Sequence, residues 1–201
     1  MNDRETEVKF YVQNLKKIEM RLLELKAHLI QPRVLEINYR YDRPDGSLRA
    51  DGCVLRLRND INACLTFKGP SILVDGIFSR QELEFTVSDF ETAKKFLEAL
   101  GYVQILIYEK NRAIYDLNDC HIMLDELPYG DFVEIEGSDA GSIRKTVELL
   151  GLNFESAVGA GYVRLFETYN SKYGFPPSDL TFEALRGKKP SPKELDIRAA
   201  D

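Results

Sequence analysis

Apolar side chains recur along this chain with two periods, and each change of period marks an element. From Glu5 to Val12, Thr6, Val8 and Phe10 alternate with Glu5, Glu7 and Lys9, the two-residue repeat of a strand. Asn14 stands where a helix cap belongs. Leu15, Ile18, Leu22, Leu25 and Leu29 follow at spacings of three and four, predicting an amphipathic helix that ends before Pro32. Val34 to Asp42 reads as extended, up to a turn at Pro44-Asp45-Gly46. Val54 to Arg58 and Ala63 to Lys68 read as a hairpin around Asn59-Asp60. Gly69 to Gly76 reads as a loop and Ile77 to Val87 as a strand. Asp89 then caps a second helix, in which Phe90, Ala93, Phe96, Leu97 and Leu100 share a face and which Gly101 stops.

Tyr102 to Leu117 is a long extended stretch that turns at Asn118-Asp119 into His121 to Asp125. Pro128-Tyr129-Gly130 makes another turn before Phe132 to Glu136, and a third helix lies around Ser142 to Leu150. About eight short strands with two or three covering helices give an α+β domain or a helix-covered antiparallel β-barrel. Beyond Tyr169 the composition shifts, with Pro176-Pro177, Pro190 and Pro192 around a short helical stretch, Leu180 to Leu185. The expected organisation is one domain over residues 1–170 and a C-terminal tail over 171–201 that packs loosely or not at all.

Composition narrows the functional classes. With 30% charged and 44% hydrophobic residues in 201, the chain has enough apolar material for one core. A net charge of −6 argues against a nucleic-acid polymer as partner, because duplex binding needs a basic face. There is no apolar run of membrane-spanning length and no signal-peptide core after Met1-Asn2-Asp3-Arg4, so the expectation is a cytoplasmic protein without a membrane partner. Cys53, Cys64 and Cys120 have no zinc-pair spacing and read as packing residues. His28, expected on the first helix, and His121 read as structural or surface residues.

The placement of charge within the strands carries the chemistry. Glu5, Glu7 and Lys9 fall on one face of their strand. Arg56 with Arg58, Arg80 with Glu82 and Glu84, Lys110 with Arg112, and Glu134 with Glu136 do the same on theirs. Alternation does not say which face is inside. A one-sided sheet with a wet outer face fits, and so does a closed barrel whose charged face points inward beneath covering helices. Paired carboxylates make hard oxygen sites suited to Mg²⁺ or Mn²⁺, and Arg presents a fork that matches phosphate oxygens.

Glu5-Thr6-Glu7-Val8-Lys9 resembles the ExExK signature of the CYTH superfamily, the triphosphate tunnel metalloenzymes. That superfamily includes class IV adenylate cyclases, thiamine triphosphatases and inorganic triphosphatases. The resemblance continues in order through Leu55-Arg56-Leu57-Arg58, Thr66-Phe67-Lys68-Gly69, Arg80-Gln81-Glu82-Leu83-Glu84, Lys110-Asn111-Arg112, Leu124-Asp125 and Val133-Glu134-Ile135-Glu136-Gly137. It covers roughly residues 3–167.

The resemblance implies an eight-stranded antiparallel tunnel, with the charged faces inside. It further implies metal binding by Glu5, Glu7, Glu134 and Glu136, with Asp125 near them, and phosphate binding by Lys9, Arg56, Arg58, Lys68, Arg80, Lys110 and Arg112. Of these, Lys9, Arg56, Arg58, Glu134 and Glu136 are the residues expected to carry catalysis. Glu82, Glu84, Tyr162 and Arg164 are secondary candidates. Where the family often has a Ser-Tyr pair, this chain has Gly161-Tyr162.

The implied function is Mg²⁺- or Mn²⁺-dependent processing of ATP, thiamine triphosphate or tripolyphosphate by a monomer or homodimer. Hydrolysis stands ahead of cyclisation of ATP to cyclic AMP and pyrophosphate, since cyclisation also needs a base pocket and a bent ribose. A non-catalytic polyphosphate- or nucleotide-binding barrel is the alternative of another class, and a small-molecule carrier with an apolar interior is a third.

Overall fold

In the computed structural model, which describes residues 4–173, 179–188 and 190–201, the alternating segments become strands of one sheet. They are β1 (Arg4–Val12), β2 (His28–Asp42), β3 (Val54–Asn59), β4 (Ala63–Lys68), β5 (Ile72–Val74), β6 (Ile77–Val87), β7 (Val103–Leu117), β8 (Cys120–Leu127) and β9 (Gly130–Gly137). The sheet order is β1-β9-β8-β7-β2-β3-β4-β6-β5, and every neighbouring pair is antiparallel. β1 serves two partners. Its Arg4–Glu7 half pairs with β6 and its Glu7–Val12 half with β9. Eight strands therefore close into a ring, and β5 is an annex on β6.

Closure fixes which face is inside. Helices α1 (Leu15–Glu24) and α4 (Ala140–Leu149) lay Leu15, Ile18, Leu22, Ile143 and Val147 over Val8, Phe10, Ile122, Val133 and Ile135, so these apolar strand residues point outward into a core. Glu5, Glu7 and Lys9 of β1, and Glu134 of β9, alternate with them and are left inside. Helix α3 (Phe90–Ala99) covers Leu55, Leu57 and Tyr41 with Leu97, beside the short helix α2 (Ser47–Ala50) that adds Leu48. At one end of the ring, α5 (Tyr162–Tyr173) packs Tyr162, Leu165, Phe166 and Tyr169 against Leu127, Tyr129 and Phe132.

Four expectations are corrected. The first helix stops at Glu24, because Leu25, Lys26 and Ala27 close it in a Schellman turn: Ala27 N donates to Leu22 O at 2.9 Å and Lys26 N to Leu23 O at 3.0 Å. Lys26 takes the left-handed conformation (φ 58) that glycine usually fills, so the sequence held no punctuation there. His28 and Leu29 consequently lie on β2, which also contains Pro32, tolerated where the β2–β7 register shifts between Gln31 and Val34. Second, Gly69–Gly76 is not all loop. Asp75 and Gly76, both at positive φ, form the two-residue turn of a β5–β6 hairpin. Third, Phe96 and Leu100 of the second helix are exposed, while Phe90, Ala93 and Leu97 do the packing.

The fourth correction concerns the tail. Helix α5 continues to Tyr173, across the boundary expected at residue 170, and Leu180, Leu185, Leu195 and Ala200 are buried. Leu180 exchanges backbone hydrogen bonds with Ile107 and Glu109, and Ala200 N donates to Tyr11 O at 3.0 Å. The Asp201 side chain accepts from Gln13 N and Asn14 N at 2.7 and 3.0 Å. Leu180 to Leu185 forms turns rather than a helix, and Pro176-Pro177 lies outside the described residues. No helix among the described residues is long and apolar enough to cross a membrane.

Candidate functional site

Inside the ring lies a cavity of about 870 Å³. Every basic side chain expected in the site lines it: Lys9, Arg56, Arg58, Lys68, Arg80, Lys110 and Arg112, together with Arg164 at the α5 end. Glu5, Glu7, Glu82, Glu84, Glu134 and Glu136 line it as well, and so does Tyr162. Asp125 is fully buried behind the wall. His121, expected to be structural or at the surface, also borders the cavity.

The charges sort into three groups. In the first, Asp125 accepts from Arg112 Nε at 2.6 Å and again from Arg112 Nη2, from Lys110 Nζ at 3.2 Å, and from the Tyr162 hydroxyl at 2.8 Å. Glu134 pairs with Lys9 at 2.6 Å and with Arg112. Lys9 also sits 4.2 Å from the centre of the Tyr162 ring, a cation–π contact. Burial alone would raise the Glu134 carboxyl, but Lys9, Arg112 and Lys110 outweigh it and hold the group well below the usual carboxylate range. Desolvation likewise disfavours the Lys9 ammonium, and Glu134 and Glu7 more than reverse it.

The second group is basic. Arg56 and Arg58 share Glu84, at 3.3 and 3.0 Å, and Thr66 donates its hydroxyl to the same carboxylate at 2.6 Å. Arg56 also donates to the Tyr108 hydroxyl at 3.4 Å.

The third group is a carboxylate cluster. Glu5 is bonded by Lys68 at 2.7 Å and Arg80 at 2.9 Å; these cations overcome burial and hold its pKa at about 2. Glu7 faces Glu136 across the β1–β9 ladder, and its nearest cation is Arg80 at 3.6 Å. Burial, with help from Glu134 and Glu5, raises the Glu7 carboxyl despite Lys9 and Lys68. Glu136 has no ion-pair partner among the described residues; burial, then Glu5, Glu82 and Glu7, push it up to about 7 despite Lys68.

Between pH 4.5 and 7, folded Glu136 keeps a proton that the unfolded chain releases, so this group's contribution to stability falls as pH rises through 7. In metal-free buffer, Glu136→Gln is expected to match wild type near pH 5 and to exceed it near pH 8 by on the order of 1–3 kcal/mol, allowing for solvent screening. Urea unfolding at the two pH values measures this; a variant less stable than wild type at pH 8 contradicts it.

Sequence reading missed several members. Glu36 is 1% exposed, pairs with Lys110 at 3.4 Å and accepts from Asn38 at 2.9 Å. Burial raises it, but Lys110, Arg112 and Arg56 hold it at about 2. Glu36, Asn38 and Arg40 alternate along β2, the same signal that marked the other strands, in a segment read only as extended. Thr66 was missed because a lone hydroxyl within a strand carries no charge pattern, and for the same reason Tyr108 reads from sequence most simply as a strand residue, and only secondarily as a contact for a substrate base.

The donor set fits a hard divalent cation in kind. Glu7 and Glu136 are oxygen-only ligands that repel each other, and a cation would relieve that repulsion. Among the described residues, however, no three such groups already converge at metal-holding distance. Glu134 and Asp125 are occupied by protein cations, and Glu5 by Lys68 and Arg80.

The CYTH domain profile matches residues 3–145 of this chain. The chain belongs to the CYTH domain family. A protein of Methanocaldococcus jannaschii that carries the provisional name adenylate cyclase is 30% identical over 137 residues, 67% of this chain and 77% of that one. Among solved structures, a provisional adenylate cyclase from Vibrio parahaemolyticus superposes with a TM-score of 0.73 at 20% identity, covering 83% of this chain and 99% of that one. A provisional adenylyl cyclase from Hippeastrum, described as having a dominant triphosphatase activity, gives 0.63 at 18% identity, covering 81% and 95%. At these identities the two structures speak to the fold, which is the CYTH tunnel.

Proposed function

We propose that this CYTH protein is a metal-dependent enzyme that binds a triphosphate group in the tunnel and hydrolyses inorganic tripolyphosphate or an organic triphosphate. The observation that carries the reading is the convergence of the seven expected basic side chains on one cavity, where carboxylates are interleaved with them. Phosphoryl transfer asks mainly for positioning and charge neutralisation, and Arg forks do both. Lys9 and Arg112, already oriented by Glu134 and Asp125, are held to receive phosphate oxygens without reorganisation. Asp125 acts as a positioning residue for Arg112, Lys110 and Tyr162. Glu7 and Glu136 are the residues assigned to the metal, Mg²⁺ or Mn²⁺, which when bound supplies charge neutralisation and an acidified water.

Class IV adenylate cyclase is the second reading, favoured by the name of the archaeal relative. Incubation with ATP and with tripolyphosphate, each with Mg²⁺ or Mn²⁺, separates the readings by product. Orthophosphate supports hydrolysis, cyclic AMP supports cyclisation, and binding without turnover leaves only a non-catalytic barrel. Because more cations than carboxylates line the tunnel, ligand should stabilise the fold. At 100 times its Kd, tripolyphosphate is expected to add about 2.7 kcal/mol, visible as a raised melting temperature; no shift contradicts the reading.

A further inference from the structure

Among the described residues, Arg40 is a tunnel cation without an ion-pair partner. It lines the cavity, yet among the described residues no carboxylate lies within ion-pair distance of it. Its partner across the β2–β3 ladder is Arg56, so two like charges stand on directly opposed residues, both lining the cavity. Like charges directly opposite destabilise a sheet. The Nε atoms of both are buried without an acceptor. Glu167 on α5, the carboxylate that favours Arg40 at longer range, is engaged by Arg49 at 2.8 Å and by Arg164 at 3.7 Å. Burial, with the repulsion of Arg56 and Arg80, disfavours the charge on Arg40, although Tyr108 and Glu167 oppose this. Such an arrangement is stable when an anion enters between the two arginines.

The chemistry of phosphate chains says which anion. A terminal phosphoryl group of a phosphate chain carries about 1.5–2 negative charges at neutral pH, and one bridged on two sides, whether by two anhydride links or by an anhydride and an ester, carries a single charge. Linear inorganic polyphosphate has such a group at both ends, whereas an organic triphosphate has it at one end and an ester oxygen at the other.

We propose that Arg40 and Arg56, at the α5 end of the tunnel, bind a second dianionic chain terminus, which makes Arg40 a specificity-determining residue that favours linear inorganic polyphosphate over organic triphosphates. The inference rests on the triphosphate-binding reading and names which substrates that site prefers.

The test is calorimetric binding of tripolyphosphate and of ATP, with Mg²⁺, to wild type, Arg40→Gln and Arg40→Lys. Arg40→Gln should weaken tripolyphosphate binding about 10- to 100-fold and ATP binding less than about 3-fold, with Arg40→Lys between. Ligand-free Arg40→Gln should melt no lower than wild type, because a repulsion has been removed. Equal weakening for both ligands, unchanged selectivity, or a lowered ligand-free melting temperature overturns the proposal while leaving the triphosphate reading in place. Wild type that binds neither ligand overturns both.

Discussion

Asp125→Ala is expected to destabilise the ligand-free protein by about 3–5 kcal/mol, the usual cost of breaking a buried ion pair by removing one partner. Asp125 is completely buried and accepts from three side chains, Arg112, Lys110 and Tyr162. Without it, the Tyr162 hydroxyl loses its acceptor, and Arg112 and Lys110 are left with Glu36 and Glu134, neither of which is free to compensate: Glu134 already serves Lys9. Urea unfolding measures the loss, and a change under about 1 kcal/mol would refute this view of the network. Tripolyphosphate should raise the melting temperature of the variant less than that of wild type, since Arg112 and Lys110 lose the residue that positions them.

The second large effect falls on binding rather than folding. Arg56→Ala is expected to lower kcat/KM for the preferred triphosphate by at least about 100-fold, because hydrogen bonds to charged groups contribute roughly 1.5–3 kcal/mol each and a guanidinium fork makes two. The fold should survive, since Glu84 keeps Arg58 at 3.0 Å and the Thr66 hydroxyl at 2.6 Å. Arg56→Lys should recover only part of the loss, because an ammonium cannot bridge two oxygens in the plane of the fork. A kcat/KM within about 3-fold of wild type for Arg56→Ala would remove Arg56 from the site.

Much of the barrel was legible because alternation in a strand is a strict two-residue rule. The residues that obey it, Glu5, Glu7 and Lys9 on β1 or Glu134 and Glu136 on β9, were found without three-dimensional information. Alternation could not orient the faces. That required the ring to close through the four residue pairs from Arg4↔Gln81 to Glu7↔Phe78, a contact between segments more than seventy residues apart. The first helix was overextended because its stop is a left-handed lysine, a conformation that tertiary context imposes and composition does not announce. The packing of the C-terminal segment was invisible for a related reason: Leu180, Leu185 and Leu195 follow neither period, and only the α5 cluster gives them a surface to bury against. In the site, charge pairs were readable but their division of labour was not. The resemblance that pointed to Asp125 and Glu136 alike says nothing about which is bonded on every side and which has no ion-pair partner among the described residues.

Whether the inward cations grip one triphosphate inside the ring is tested most directly by a crystal structure of the protein with tripolyphosphate and Mg²⁺. One ligand per chain is expected within the cavity, its oxygens in hydrogen-bond reach of Arg56, Lys68 and Arg112. A ligand bound on the outer surface, or a tunnel that excludes it at saturating concentration, would contradict it.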